Sequence, residues 1–219
     1  MGGEGRGAGG EIKDGSYTLT TQDPNDGAFP GKYKVGVVVK SADDTCAKVK
    51  KLGGQILVEP NDMPEVGRLA VFMDPQGAVI AIVAPTQEMA EHDASKAGEI
   101  CWRELMTSDV DKGLAFYRDV FGWEVLAKHD MGEMGAYLIY GQGEKQYGGV
   151  FKKPEGAPGP SAAWLYYVHV DDLDASVAKA KTLGATVLME PHAVPTGERI
   201  SQLLDPQGAA FALHGVAKP

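Results

Sequence analysis

Three side chains between residues 100 and 216 have the chemistry of a metal site or an acid–base site. Glu104, His169 and His214 each stand in a run of alternating apolar residues, which is typical of a half-buried β-strand. Side chains two residues apart point to the same face of a strand. Glu104 therefore shares a face with Trp102 and Met106, and this face is the first candidate for a site.

The two histidines have comparable neighbours on their own strands. His169 shares a face with Leu165 and Tyr167, and His214 shares one with Ala212. Two imidazoles and one carboxylate are a recognised ligand set for iron and also suit zinc. If the strands are neighbours, Glu104 could converge with the two histidines.

Two other interpretations of these polar residues stay open. In the first, Glu104 pairs with a nearby histidine or a turn N–H and is structural, because buried polar groups are nearly always hydrogen-bonded. In the second, it orients a ligand as an acid/base group in an apolar pocket, and Glu104 and His169 are then the candidate catalytic residues. The predicted substrate-binding set is Trp102, Glu104, Met106, Leu165, Tyr167, His169, Ala212 and His214.

The strands that carry the histidines belong to a repeated segment. The motif DPQGA occurs twice, with Asp74 and Asp205 separated by 131 residues (205 − 74 = 131). Each copy lies between two apolar runs and predicts a hairpin, because Pro presets φ in the turn and Gly accepts the positive φ that closes it. About two positions in five are identical between residues 35–82 and 166–213. The sequence therefore contains a duplicated unit.

Each copy of the repeat predicts the same order of elements. An alternating run precedes a helix, which in the second copy has Leu173, Val177 and Ala180 at helical spacing and Asp174 as its predicted N-cap. Cys46 takes the place of Val177 in the first copy and is interpreted as a small core residue. Three further apolar stretches follow the helix. The predicted unit is β-α-β-β-β.

One arginine in each copy has two possible roles. Arg68 and Arg199 can bind a ligand anion or form salt bridges with Glu59 and Glu190. We favour the salt bridges.

A third unit lies between the two copies. It opens with the strand ICWRELMTSD and the helix DVDKGLAFYRDVFGW, which Asp109 is expected to cap and Gly122 to end. The runs AYLIYG and QYGGVF are strand candidates. The pair at 148–149 predicts a strand bulge rather than a phosphate-binding loop, because no helix start follows it.

These motifs carry a family resemblance. The stretch WRELMTSDVDKGLAFYRDVFGW, followed by VHVDDLDASVAKAKTLGATVLMEP and LLDPQGAAFALHG, resembles the vicinal oxygen chelate superfamily of glyoxalases, bleomycin-resistance proteins and extradiol dioxygenases. The resemblance covers all of residues 100–216. Residues 33–86 resemble only the second half of the same pattern. It implies an α+β fold of tandem βαβββ modules, whose glyoxalase-like cupped sheets surround a pocket in a two-domain protein of actinobacterial type.

The resemblance also implies where a divalent metal would be held. Transferred to this sequence, the ligand positions fall on Trp102, a residue near Gly149, Leu165, Ala212 and, in the N-terminal domain, Lys34 and Ala81. These residue types make no plausible metal site, so we expect a small organic ligand bound in a pocket without metal or other cofactor.

The alternative is an enzyme, a metal-dependent or acid/base lyase, isomerase or dioxygenase that uses Glu104, His169 and His214. His169 lies four residues along its strand from Leu165, about 13 Å at the usual rise. The three polar side chains are therefore not expected to meet at one ion unless strand tilt compensates.

The predicted domain organisation is uneven. Residues 1–15 are predicted to form a flexible Gly-rich segment. Residues 16–86 form an incomplete first domain of one full module and a hairpin, with strands at 16–20 and 28–29. Residues 87–99 are a linker, and residues 100–216 form a complete second domain. The incomplete domain leaves a concave apolar face and a strand edge uncovered. Because such edges are usually covered, we expect a homodimer, or pairing of residues 33–86 with the other modules of the same chain.

Composition also limits the classes of partner that we expect the protein to bind. A formal net charge of −9 argues against nucleic acid. The sequence has no apolar run of membrane-spanning length and no evident signal peptide, so we expect a cytoplasmic protein without membrane contact. Two cysteines do not suggest a disulfide framework.

Overall fold

The computed structural model describes residues 9–13, 16–20, 36–87, 93–132, 135–156, 159–195 and 197–215. The strands are β1 (Gly9–Lys13), β2 (Ser16–Thr20), β3 (Val37–Val38), β4 (Gln55–Met63), β5 (Gly67–Met73), β6 (Val79–Pro85), β7 (Ile100–Thr107), β8 (Glu124–Asp130), β9 (Ala136–Gln142), β10 (Lys145–Lys152), β11 (Ala163–His169), β12 (Thr186–Ala193), β13 (Arg199–Leu204) and β14 (Ala210–Gly215). The helices are α1 (Ala42–Lys51), α2 (Val110–Phe121) and α3 (Leu173–Thr182). The predicted α+β fold of βαβββ modules is confirmed.

The chain divides into two compact units. The larger unit comprises residues 35–94 and 100–167, and the smaller unit comprises residues 1–34, 95–99 and 168–219. Strand β11 contributes residues to both. The predicted flexible segment at 1–15 lies outside the described residues apart from β1, and the predicted strand at 28–29 lies outside them entirely. The domain boundary at 87–99 stays a prediction.

The larger unit contains two βαβββ modules. In the first, β3 pairs in parallel with β6, and β5 and β4 continue the sheet in antiparallel fashion. In the second, β7 pairs in parallel with β10, followed by antiparallel β9 and β8. The register of β10 shifts between Gln146 and Gly148, next to the glycine pair from which a bulge was predicted.

Both helices of the larger unit begin and end as their sequences dictate. Ser41 caps α1 by accepting from Asp44 N, and Asp109 caps α2 by accepting from Lys112 N. Gly122 ends α2 with a φ of 76°, which a residue with a Cβ adopts only at a cost. Cys46 on α1 is buried in the core, as predicted.

A buried hydrogen-bond network joins the two modules of the larger unit. The Tyr117 hydroxyl of α2 donates to Asp74 Oδ2 at 2.9 Å and accepts from Trp164 Nε1 at 3.0 Å. The neighbouring Gln76 donates through Nε2 to the Asp109 carbonyl at 2.8 Å. The first DPQG hairpin therefore holds the N-terminus of α2.

The smaller unit contains the last repeat. Helix α3 packs Leu173, Val177 and Ala180 against the antiparallel strands β12, β13 and β14. Its N-cap is Asp172 rather than the predicted Asp174, because the helix begins two residues earlier.

The ion pairs of the two repeats match each other but differ from the predicted ones. Arg68 binds Asp43, with Nε 2.6 Å from Oδ2, and Arg199 binds the equivalent Asp174. The glutamates are bound instead by lysines, as Lys50 pairs with Glu59 and Lys181 with Glu190. Asp43 and Asp174 lie in the first turns of α1 and α3 and are within reach of the arginines. This proximity could not be predicted from sequence spacing alone.

Membrane-spanning helices are absent from the described part of the chain, where the longest helix, α2, has 12 residues.

Candidate functional site

The two faces of strand β7 differ in burial towards its C-terminal end. Leu105 and Thr107 point to the core side and are fully buried. The alternate residues Trp102, Glu104 and Met106 are only half-buried. Strand alternation therefore places Glu104 on the more accessible face of the sheet, as predicted.

Two tyrosines hold the Glu104 carboxylate. The Tyr137 hydroxyl donates to Oε1 at 2.7 Å, and the Tyr167 hydroxyl donates to Oε2 at 2.6 Å. Trp102 Nε1 donates to the Tyr137 oxygen at 2.9 Å. Each carboxylate oxygen has a phenol donor, so the carboxyl plane is fixed by contacts from β9 and β11.

Gly149 makes room for this arrangement. It lies on β10 between Glu104 of β7 and Ile139 of β9 in the strand register. A Cβ at this position would lie 2.0 Å from both Cζ and the hydroxyl oxygen of Tyr137. The Tyr137 ring can cross β10 to reach Glu104 only because residue 149 has no side chain.

Burial sets the protonation chemistry of the cluster. Removal from water raises the pKa of Glu104, and the hydrogen bonds from Tyr167 and Tyr137 offset only part of that rise. Burial, followed by the charge of Glu104, also raises the pKa of Tyr137 well above its usual value. The phenol is therefore a neutral donor at physiological pH, beside a carboxyl that holds its proton more tightly than a glutamic acid in water.

The surroundings of Glu104 on this face are apolar and partly open. Met106, Leu165 and Phe151 are each half-buried, and the Phe151 ring is stacked with Tyr137 at a centroid distance of 6.2 Å. The accessible face thus combines one oriented carboxyl with aromatic and aliphatic surface.

The predicted histidines come together in the smaller unit. His169 Nδ1 and His214 Nδ1 are 3.5 Å apart, and His214 Nε2 lies 3.2 Å from Glu198 Oε2. Ala212, two residues before His214, is fully buried. Glu104 belongs to the larger unit, so the expectation that it does not meet the two histidines at one ion stays a prediction.

Two members of these clusters, Tyr137 and Glu198, were not predicted from the sequence. The alternation of AYLIYG does place Tyr137 on one face with Ile139, but nothing local identifies Glu104 as its partner 33 residues earlier. Glu198 stands in a polar segment before β13, where a surface position is the ordinary expectation.

Comparison with known proteins identifies the family. The sequence profile of the Glyoxalase/Bleomycin resistance protein/Dioxygenase superfamily matches residues 99–213, more than half of the chain. The chain belongs to this superfamily. It is 32% identical over 188 residues to CFP32 of Mycobacterium bovis, a protein provisionally named a glyoxylase, with 84% of this chain and 70% of that protein covered.

Other superfamily members extend the comparison. The anthracycline biosynthesis proteins DauV of Streptomyces sp. and DnrV of Streptomyces peucetius are 34% and 33% identical, each over 84% of this chain and 66% of their own length. The 2,2',3-trihydroxybiphenyl 1,2-dioxygenase of Sphingomonas wittichii has a similar fold, with a TM-score of 0.59 at 15% identity over 95% of this chain and 81% of that one. The Mn(II)-bound glyoxalase of Novosphingobium aromaticivorans also has a similar fold, with a TM-score of 0.55 at 16% identity over 83% of this chain and 62% of that one.

The metal positions implied by superfamily resemblance do not suit a metal in this chain. Trp102, Gly149, Leu165 and Ala212 offer no lone-pair side-chain donor of the kind that divalent ions bind. The Tyr137 phenol occupies the space of the absent side chain at Gly149. Of the N-terminal positions, Ala81 is equally unsuitable and Lys34 lies outside the described residues.

Proposed function

We propose that the larger unit binds a flat organic molecule, without a metal, on the face that carries Glu104. The observation that carries this proposal is the fixed Glu104 carboxyl, held by two phenols in a half-open aromatic surface. Small-molecule sites are typically apolar surfaces with a few fixed polar groups that set ligand orientation.

Glu104 is suited to orienting a ligand that carries a hydroxyl or amine. Each carboxylate oxygen has a second lone pair beyond the one that accepts from tyrosine. Since both phenols already hold the carboxyl, a ligand donor would meet a preorganised acceptor with little further loss of side-chain entropy. Such a hydrogen bond to a charged acceptor contributes about 1.5–3 kcal/mol.

The ligand class follows from the surface and from the relatives. Trp102, Tyr137 and Phe151 provide aromatic area, and aromatic rings stack favourably on flat ligands. The two relatives named for anthracycline biosynthesis suggest a polycyclic aromatic molecule. We expect the protein to act in this role as a cytoplasmic homodimer.

A tryptophan-fluorescence titration with an anthracycline tests the binding proposal. The wild type should show saturable quenching, which Trp102→Phe should largely remove and Glu104→Gln should shift to about tenfold higher ligand concentration, the equivalent of about 1.4 kcal/mol. Val79→Ala is the control, because this exposed residue lies on β6, in a different sheet from Glu104. Equal quenching of the wild type and Trp102→Phe would reject the site.

A catalytic use of the same face is the second candidate, and the raised pKa of Glu104 favours it. A carboxyl whose pKa burial raises above its usual value is better suited to act as a general acid or base than one in water. One relative is provisionally named a glyoxylase. Incubation of the bound anthracycline in D2O separates the two candidates: deuterium entering a C–H position with the wild type but not with Glu104→Gln indicates proton transfer, and unchanged ligand mass indicates binding alone.

A further inference from the structure

The cluster in the smaller unit shares no residue with the Glu104 cluster and has its own chemistry. It consists of His169 on β11, His214 on β14 and Glu198 just before β13. The two imidazoles face each other through Nδ1 at 3.5 Å, and Glu198 Oε2 lies 3.2 Å from the far nitrogen of His214. The three side chains therefore form a continuous line from carboxylate to imidazole to imidazole.

The first repeat supplies an internal comparison for this cluster. At the spacing of 131 residues, the residues that correspond to His169 and His214 are Val38 and Val83. Glu198 corresponds to Gly67, where a Cβ would lie 2.2 Å from the Ala84 carbonyl oxygen. All three polar groups are thus specific to the second copy. Packing of the shared fold does not require them.

The backbone that carries the imidazoles is nevertheless shared by both repeats. Val170 N donates to the His214 carbonyl at 2.8 Å, and the equivalent Val39 N donates to the Val83 carbonyl at 2.9 Å. Val38 and Val83 are direct partners in the parallel pairing of β3 with β6. The histidines accordingly occupy a pair of neighbouring strand positions. Rigid strands hold ligand side chains more accurately than loops do.

The distance between the two nitrogens matches the span across one metal ion. Two zinc–nitrogen bonds of about 2.0–2.1 Å at a tetrahedral angle separate the nitrogens by about 3.3–3.4 Å. In the neutral form, donation from His214 Nε2–H to Glu198 leaves the lone pair on Nδ1, directed towards His169. Carboxylates that fix a histidine tautomer in this way are the usual outer-shell partners of metal-binding imidazoles.

We propose that His169 and His214 bind a divalent transition-metal ion through their Nδ1 atoms, with Glu198 positioning His214. Imidazole nitrogens favour zinc, copper, nickel and cobalt over magnesium and calcium. The relative exposure of His169 is 9% and that of the His214 side chain is 15%. The imidazoles are thus shielded from water, while the Glu198 side chain remains 45% exposed.

Zinc titration of the full chain, first freed of metal with a chelator, tests this site by calorimetry. The wild type should bind about one zinc ion per chain, as two imidazoles define a single site. His169→Val and His214→Val should each abolish binding, and both should fold because valine occupies the equivalent positions of the first repeat. Glu198→Gln should weaken binding about 10- to 100-fold.

His192→Ala is the matched control, because this histidine is exposed on β12 in the same unit and contacts the Glu190 carbonyl. It should bind zinc as the wild type does, and thermal unfolding should confirm that every variant is folded. Zinc binding that persists unchanged in the folded His169→Val and His214→Val variants would overturn the proposal. A wild type that binds no zinc, cobalt, nickel or copper would also overturn it. Neither outcome bears on anthracycline binding at Glu104.

Discussion

The Tyr137 ring lies across the backbone of Gly149, close enough that a Cβ on residue 149 would be 2.0 Å from the phenol oxygen. This oxygen in turn contacts Trp102 and Glu104. The position of the Glu104 carboxyl is therefore controlled by a residue that has no side chain.

Gly149→Ala should displace Tyr137 and disrupt the bonds that hold Glu104. The added methyl group cannot share space with the ring, and overpacking of this kind costs about 1–3 kcal/mol. Chemical denaturation measures the loss in the free energy of unfolding. The control is the same change in a Tyr137→Ala background, where the space is open and the loss should be smaller. Equal losses in the two backgrounds would contradict the proposed steric conflict.

The raised pKa of Glu104 predicts a pH-dependent contribution to stability. Since the folded state binds this proton more tightly than the unfolded state, the stabilisation is fully present below the usual pKa of 4.5 and is lost as pH rises through the folded-state value. The free energy of unfolding of the wild type should therefore fall relative to Glu104→Gln between acidic and neutral pH. The exposed Glu124→Gln is the control. A difference between wild type and Glu104→Gln that does not vary with pH would be inconsistent with a raised pKa.

The two DPQG hairpins should respond differently to the same substitution. Asp74 and Asp205 both accept from two backbone N–H groups of their own turn, but the fully buried Asp74 also accepts from Tyr117. In Asp74→Asn, the amide and Trp164 would both donate towards the Tyr117 oxygen, and the phenol proton would lose its acceptor. We expect a loss of about 1–3 kcal/mol in the free energy of unfolding.

Asp205→Asn is the matched control for this change. Its turn has the same sequence, and Asp205 is more exposed than Asp74. Thermal or chemical unfolding should show the smaller effect in Asp205→Asn. Equal effects would show that the turn itself, and not the buried bond to α2, accounts for the loss.

We expect two copies of the chain to associate through the first module. On β5, Ala70 and Phe72 are fully buried, whereas the alternate residues Leu69, Val71 and Met73 are only half-buried on the other face. A contiguous apolar face of this kind usually binds a partner. Light scattering should give the mass of a dimer, and Val71→Lys should give that of a monomer. A monomeric wild type would contradict the expectation.

The repeat and its modules were predictable because identity at a fixed spacing and strand alternation are local signals. The face of Glu104 followed from alternation alone. The bond between Asp74 and Tyr117 was not predictable, because these residues are 43 positions apart in different modules and meet only through packing. The salt-bridge partners of Arg68 and Arg199 were wrong for the same reason, as both arginines reach across to a helix.

The candidate sites also contain some features that the sequence predicted and others that it did not. Strand alternation in the sequence predicted that Glu104 shares a face with Trp102. The contact between Glu104 and Tyr137 depends on the absence of a side chain at Gly149, which was interpreted only as a bulge. The pairing of His169 with His214 follows from neighbouring strands. Their link to Glu198 depends on where a loop returns to the sheet, and strand periodicity carries no information about that.

The order in which the two units occur along the chain has a consequence for synthesis. All of the larger unit, including both of its modules, precedes Val168. At translation rates of about 5–20 residues per second, the last repeat, Leu173–Gly215, follows over about 2–9 s. That interval is long compared with the folding time of most small domains. The nascent chain can therefore complete the carboxyl–phenol cluster while the ribosome is still adding the two strands that bring Glu198 and His214 to His169.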